Sequence, residues 1–198
     1  MQDDPIRIVR QETISDNYFE LKKVSFEQRR RDGSWQEETR EIYDNASGAA
    51  ILLYNPKQRT VLLTRQFRLG ARLAGHDGFL LEVPAGSLDD ADPEKRVRAE
   101  LCEETGFAVG PVRKVLTLFA NPASLTEQVH YFMGEYGARD RTGEGGGKEE
   151  EGEDIAVVEM DVDEAFRQIK EGGIVDAKTV ILLLLLRDEL RQSSGRNS

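Results

Sequence analysis

The 198 residues predict an α/β domain preceded by a small antiparallel β-sheet, and two patterns carry that expectation. Over the first 45 residues apolar and polar groups alternate, in runs at 6–14, 18–28 and 35–43, as half-buried strands require. From residue 46 onward, short apolar runs are interleaved with segments of helical spacing, the pattern of strands and helices packed in layers.

Each element follows from local signals. Arg31-Asp32-Gly33-Ser34 supplies a hairpin turn between the second and third runs. A three-stranded sheet of this size is marginal alone, so it is expected to pack on the main domain or on a second subunit. The main domain begins near Ala46-Ser47-Gly48, with strands at 49–54 and 60–67 around the turn Asn55-Pro56-Lys57-Gln58 and another at 79–83. Asp92 and Pro93 form a helix N-cap and first helical residue, and Gly106 a terminator. Strands are expected at 109–119, 129–136 and 155–160, and a helix at 162–171. A last helix at 177–190 is apolar nearly all round and therefore buried. The glycine- and acid-rich stretch 137–154 reads as a linker or solvated loop, since it offers no core residues. Its Gly145-Gly146-Gly147-Lys148 is not a phosphate loop, because neither Ser nor Thr follows the lysine. The expected division is an N-terminal sheet at 1–45, a main domain at 46–191 and a disordered tail at 192–198.

Composition narrows the chemistry. Hydrophobic content of 38% and charged content of 32% suit a globular protein. The longest apolar stretch, 180–186, is too short to span a bilayer, and Met-Gln-Asp-Asp-Pro lacks the parts of a signal peptide, so no membrane is expected and the cytoplasm is the default. The one cysteine, Cys102, excludes an intramolecular disulfide, and His76 and His130 make no zinc-ligand spacing. Any metal site is therefore oxygen-rich, which favours magnesium, manganese or calcium. A net charge of -10 argues against binding a nucleic-acid backbone, which rests on Lys and Arg displacing counterions.

The chemistry concentrates in residues 82–107, where a Pro-Ala-Gly turn leads into a helix bearing Glu100, Glu103 and Glu104. Their i, i+3, i+4 spacing brings the carboxylates within reach of one another on one face, with Val97 and Leu101 opposite as the core anchor. Three like charges there repel by about a few tenths of a kcal/mol per pair, and a hard divalent cation reverses that sign. The arrangement reads as a magnesium or manganese site, exposed rather than part of the core.

This stretch resembles the signature of the Nudix hydrolases, which cleave nucleoside diphosphates linked to another group. The family pattern is Gly, five residues, Glu, seven residues, then Arg-Glu-apolar-any-Glu-Glu-any-Gly-apolar, and its second half stands here as Ala99-Glu100-Leu101-Cys102-Glu103-Glu104-Thr105-Gly106-Phe107. Two positions depart: Ala99 replaces the family arginine, and the loop is one residue short, so that Gly86 leads to Asp92 in place of the first glutamate. Both positions usually support the helix and loop rather than hold metal, and Arg96 or Arg98 is expected to replace the arginine's ion pair.

Outside the signature the chain resembles the GDP-mannose pyrophosphatases, close relatives of the ADP-ribose pyrophosphatases. The resemblance lies in Ser15-Asp16-Asn17-Tyr18-Phe19, Arg40-Glu41-Ile42-Tyr43-Asp44, Arg65-Gln66-Phe67-Arg68, Thr126-Glu127, the acidic loop ending Glu153-Asp154-Ile155, and Asp176-Ala177-Lys178-Thr179-Val180. It implies a Nudix α/β/α sandwich with a mixed sheet, and an N-terminal sheet that helps to build a homodimer. It also implies metal ligands at the Ala85 carbonyl, Glu100, Glu104 and Glu153, with Glu103 available to a second metal. The substrate contacts it implies are Tyr18 near the base, Thr39, Arg40 and Glu41 on the nucleotide, Arg68 on a phosphate, Glu127 on the sugar or attacking water, and Lys178 on the glycosyl phosphate. Ala85, Gly86, Ser87, Glu104, Gly152 and Glu153 are expected to line the same site, and Glu153 or Glu127 to take the proton. The implied reaction is metal-assisted hydrolysis of GDP-mannose to GMP and mannose 1-phosphate, with ADP-ribose as the alternative substrate. A rival of another class is a non-catalytic Nudix sensor that binds a nucleotide sugar. The complete glutamate set, and the lack of a basic DNA-binding segment, favour the enzyme.

Overall fold

The computed structural model describes residues 4–88, 92–148, 150 and 152–195. They form two compact units, one reaching to Ser47 together with Leu118–Val129, the other Gly48–Thr117 together with the chain from His130 on.

The first unit is an antiparallel sheet in the order β1 (Ile6–Ser15), β2 (Glu20–Arg29) and β3 (Trp35–Asp44). Gly33, at φ 87, makes the tight turn before β3, which only a residue free of Cβ adopts readily. The guanidinium of Arg7 lies 3.8 Å from the centre of the Trp35 ring. The edge of β3 is covered from within the unit: Tyr43 N donates to Ser124 O at 2.8 Å, and Thr126 Oγ1 to Asp44 Oδ1 at 2.7 Å. Among the described residues β1 has no such cover, and it is exposed along nearly its whole length.

The second unit holds most of a mixed seven-stranded sheet, ordered β10 (Ala156–Asp161), β5 (Thr60–Phe67), β4 (Gly48–Asn55), β9 (Gln128–Glu135), β8 (Val112–Phe119), with the last two residues of β8 and the first two of β9 counted in the first unit. Two short strands extend it, β6 (Phe79–Glu82) on β5 and β7 (Ala85–Ser87) on β4. α2 (Pro93–Thr105) packs against β4 and β7, α3 (Val162–Glu171) against β10 and β5, and α4 (Ala177–Gly195) against β4 and β6. These are the layers of the expected α/β/α sandwich. Ile51, Leu52 and Leu53 are buried in succession, so both faces of β4 are covered, and its sequence reads as a continuous apolar run rather than an alternating one. Val97 and Leu101 anchor α2 to this core beside Ile51, Leu53 and Phe132. Replacing Leu101 by Ala would cost about 2–5 kcal/mol.

Three features depart from expectation. A short helix, α1 (Leu69–Leu73), follows the Arg-Gln-Phe-Arg strand, and the Ala85-Gly86-Ser87 turn is itself a strand, paired with β4 through Gly48↔Ser87. The final helix runs on to Gly195, taking in 192–195 where a disordered tail was expected, while 196–198 lie outside the described residues. Among the described residues no helix is long and apolar enough to cross a membrane.

Candidate active site

The site is built on α2. Asp92 Oδ1 accepts from Lys95 N at 3.0 Å, Pro93 opens the helix, and Gly106 closes it at φ 75, so both ends form as their residues require. The three glutamates then part company. Glu100 and Glu104 are buried, at 7% and 2% exposure, whereas Glu103 stays about one-third exposed and pairs with Lys148 at 3.0 Å. The expected exposed site is thus corrected to a buried pair with one outer carboxylate. At Glu100 the reason is the close approach of β7: a Cβ built on Gly86 would lie 2.2 Å from Glu100 Oε1, so only glycine lets the strand cover the helix there.

Arg96 takes the place of the missing family arginine. It pairs with Glu100 at 2.5 Å, one helical turn on, and its Nε donates to Ser87 O at 3.0 Å, binding the helix to β7. Arg98 turns away, to the carbonyls of Val109 and Gly110.

Burial governs the electrostatics. It pushes the Glu104 carboxyl up to about 8, and the nearby charges of Glu100 and Glu153 push the same way. Glu100 is raised as well, by burial first, with Arg96 opposing. Oε2 of Glu104 is buried with no hydrogen-bond partner, a costly arrangement for a carboxylate.

The stretch 137–154 is not a free linker over its described residues. Gly146 N donates to Glu104 O at 2.9 Å and Gly147 N to Glu103 O at 3.2 Å, so the loop caps the last turn of α2. A Cβ on Gly145 would lie 2.5 Å from Glu104 O, and Gly145, Gly146 and Gly147 all have positive φ, so the glycines are what let the loop dock. Docking carries Glu153 to the helix, where its Oε2 accepts from Lys148 N at 2.8 Å. Gly152, at φ 75, turns the chain just before it.

A second charged group lies around Glu82, the first residue of the 82–107 stretch and one to which the sequence assigned no role. Its side chain is 3% exposed, and its Oε2 receives both Nε and Nη2 of Arg68 at 2.7 Å. Lys178 Nζ stands 4.0 Å from Glu82 Oε1 and 2.6 Å from Asp176 Oδ1. A lone acid closing the apolar run Phe79-Leu80-Leu81 was the available signal.

The remaining predicted residues belong to the first unit. Tyr18 is 85% exposed and lies edge-on to Phe19. Thr39, Arg40 and Glu41 lie together on β3, all exposed, with Thr39 Oγ1 3.1 Å from Ser25 Oγ and Arg40 paired with Glu38. Glu127 is half-buried, and its carbonyl accepts from Ala120 N at 3.1 Å.

As the side chains stand, no three Asp, Glu, His or Cys side chains among the described residues are gathered to hold a metal. Protein groups already engage them: Arg96 holds Glu100, Lys148 holds Glu103, and the Lys148 amide holds Glu153. A divalent cation nevertheless fits the donor set. The buried Glu104 oxygen lacks a partner, and mutual repulsion with Glu100 and Glu153 is what a hard cation relieves.

Comparison with known proteins gives the family. Residues 44–183 match the NUDIX domain, and residues 5–43 match the GDP-mannose pyrophosphatase NudK N-terminal domain. The chain is 44% identical over 183 residues to GDP-mannose pyrophosphatases of Escherichia coli O1:K1 / APEC and of Shigella boydii serotype 4 (strain Sb227), covering 92% of this chain and 95% of each relative. A crystal structure of an ADP compounds hydrolase superposes with a TM-score of 0.74 at 18% identity, covering 96% of both chains.

Proposed function

The chain belongs to the Nudix hydrolase family, and we propose that it hydrolyses the pyrophosphate bond of a nucleoside diphosphate sugar, GDP-mannose in preference to ADP-ribose, giving GMP and mannose 1-phosphate. The observation that carries this reading is the buried Glu100 and Glu104 pair, with one oxygen unpartnered, in a chain so similar to GDP-mannose pyrophosphatases.

The Ala85 carbonyl, Glu100, Glu104 and Glu153 would hold Mg2+ or Mn2+, with Glu103 open to a second ion, and bound metal supplies charge neutralisation at the phosphate oxygens and a more acidic attacking water. The chain's own groups do the rest. Arg68 and Lys178 bring positive charge to the two phosphates, which a protein of net charge -10 otherwise lacks. Tyr18 stacks near the base while Thr39, Arg40 and Glu41 contact the nucleotide. The backbone at Gly86, Ser87 and Gly152 lines the site, where the two glycines allow close approach. Glu153 or Glu127 takes the proton as water attacks one phosphorus and the other phosphate leaves as a monoester.

We place the enzyme in the cytoplasm as a homodimer built through the N-terminal sheet. The exposed Ile8, Val9 and Ile14 of β1, an edge strand with open hydrogen-bonding groups, support that assembly. Light scattering at micromolar concentration should give twice the chain mass, and a monomer would remove the assembly from the proposal. The activity is tested by turnover of GDP-mannose and ADP-ribose with magnesium, with manganese and with chelator. Metal-dependent release of GMP from GDP-mannose is the expected result. Failure of any nucleoside diphosphate sugar to react with either metal present would sink the reading.

A further inference from the structure

We infer that Glu82 is a positioning residue of this site: its buried carboxylate sets Arg68 directly and Lys178 at longer range, and ties both cations to β6, the strand just before β7 and its Ala85 carbonyl. The inference rests on the pyrophosphatase reading above and adds to it a residue that touches neither substrate nor metal.

Three observations carry it. Glu82 is 2% exposed, and a carboxylate withdrawn so far from water is retained only where cations and donors compensate it. Its Oε2 receives two donors of one guanidinium, Nε and Nη2 of Arg68, both at 2.7 Å, which fixes the plane of that group as well as its position. Arg68 remains 42% exposed and Lys178 27%, so the far sides of both cations stay open to an anion while their near sides are held.

The network also reaches the backbone. Asp176 holds Lys178 through Oδ1 and, through Oδ2, accepts from Thr179 N at 2.9 Å and from Thr179 Oγ1 at 2.7 Å, fixing the first turn of α4. Thr179 Oγ1 in turn accepts from Val83 N at 2.8 Å, the residue after Glu82. Glu82 itself is set by pairing with Thr64 on β5, whose Oγ1 donates to the Glu82 carbonyl at 3.3 Å. One chain of contacts therefore runs from β5 through Glu82 to Arg68, and from Val83 through Thr179 and Asp176 to Lys178. A shift of either cation is resisted by β6 and Val83, from which the chain reaches β7 and the proposed metal-binding carbonyl of Ala85.

A positioning residue acts through the groups it holds, so its removal should matter only while they are present. The test is a double-mutant cycle on turnover of GDP-mannose, with Mn2+ binding to each variant measured in parallel. Glu82→Gln keeps size and removes charge. Alone it should lower kcat by roughly tenfold or more with KM little changed, and in the Arg68→Ala background it should cost less than about twofold further. Mn2+ affinity should stay within about threefold of the wild type in both. Should Glu82→Gln not fold, Glu82→Asp, which keeps the charge but withdraws it by one methylene, enters the same cycle. Full additivity with Arg68→Ala, wild-type kcat in the Glu82 variant, or loss of Mn2+ binding would each overturn the inference while leaving the pyrophosphatase reading intact. A wild-type enzyme inert toward every nucleoside diphosphate sugar would overturn both.

Discussion

The charged residues of the two units meet opposite surroundings. In the unit built on the seven-stranded sheet, Glu82, Glu100 and Glu104 are withdrawn from water, and Arg68 and Arg96 are held against them. In the N-terminal unit Tyr18, between β1 and β2, and Thr39, Arg40 and Glu41 on β3 are exposed, and Arg40 is paired with the neighbouring Glu38 and donates to the Thr39 carbonyl. If they serve the proposed reaction, buried charges that cannot relax when substrate arrives should act mainly on the transition state. Exposed side chains adapt, and their contribution falls on binding. Under the proposed function the buried groups are expected to act on rate and the exposed ones on affinity, and each variant below probes that expectation.

The largest effect belongs to Glu104→Gln. It removes the buried carboxylate whose oxygen has no partner, and turnover at saturating magnesium should fall by roughly a hundred- to a thousandfold. The fold should gain. A carboxyl pushed up to about 8 in the folded chain, from an ordinary 4.5, stabilises the metal-free protein fully below the ordinary value and loses that contribution as pH rises through about 8. The metal-free wild type should therefore lose a few kcal/mol relative to Glu104→Gln between about pH 6 and about pH 9. Thermal melts in chelator measure this. Activity near wild type, or melts that run parallel across this range, would break the claim that Glu104 is a buried and functional acid.

Gly86→Ala comes next. The added methyl group meets Glu100 Oε1 at 2.2 Å, and a buried Glu100 has little room to withdraw, so the carboxylate or the strand must shift. We expect kcat to drop by roughly a hundredfold with about 1–3 kcal/mol of stability lost, read from steady-state kinetics and denaturant titration. Unchanged kcat would show that the strand need not lie so close.

Lys178→Ala probes the proposed substrate contact beside Glu82 and Asp176. GDP-mannose should have a kcat/KM at least about tenfold above ADP-ribose, about 1.4 kcal/mol in transition-state binding, and the variant should erase most of that gap. A preference that survives makes Lys178 only the partner of Asp176.

The smallest effects should come from Tyr18→Ala and Arg40→Ala. Each should raise KM by roughly several-fold while kcat holds, since an exposed side chain that serves the ground and transition states equally alters binding alone when it is removed. A fall in kcat comparable to that of Glu104→Gln would erase the distinction between the units.

Much of the scaffold of this site was legible in local signals. Asp92, Pro93 and Gly106 bound α2, because capping is satisfied within a few residues of chain. The three glutamates were legible as a group from their spacing, but not their separate fates. An i, i+3, i+4 set looks the same on an exposed helix as on one covered by a strand, and the burial of Glu100 goes with Gly86 lying against it from elsewhere in the fold. The choice between Arg96 and Arg98 was likewise tertiary. Arg96 stands four residues before Glu100, and the Ser87 carbonyl of β7 fixes it there, while Arg98 finds the carbonyls of 109 and 110.

The sequence by itself determined the α/β class, the N-terminal sheet, the helix that carries the acids and the family, because alternation, caps and motif spacing are properties of the chain alone. Only the tertiary structure decided that 143–147 caps α2 instead of running free, that Glu82 stands between Arg68 and Lys178, and that one acid of the three is left with an unpartnered oxygen. Those outcomes depend on which segments exclude water from which charges, and that exclusion exists only once β6, β7, α2, α4 and the glycine loop are packed together.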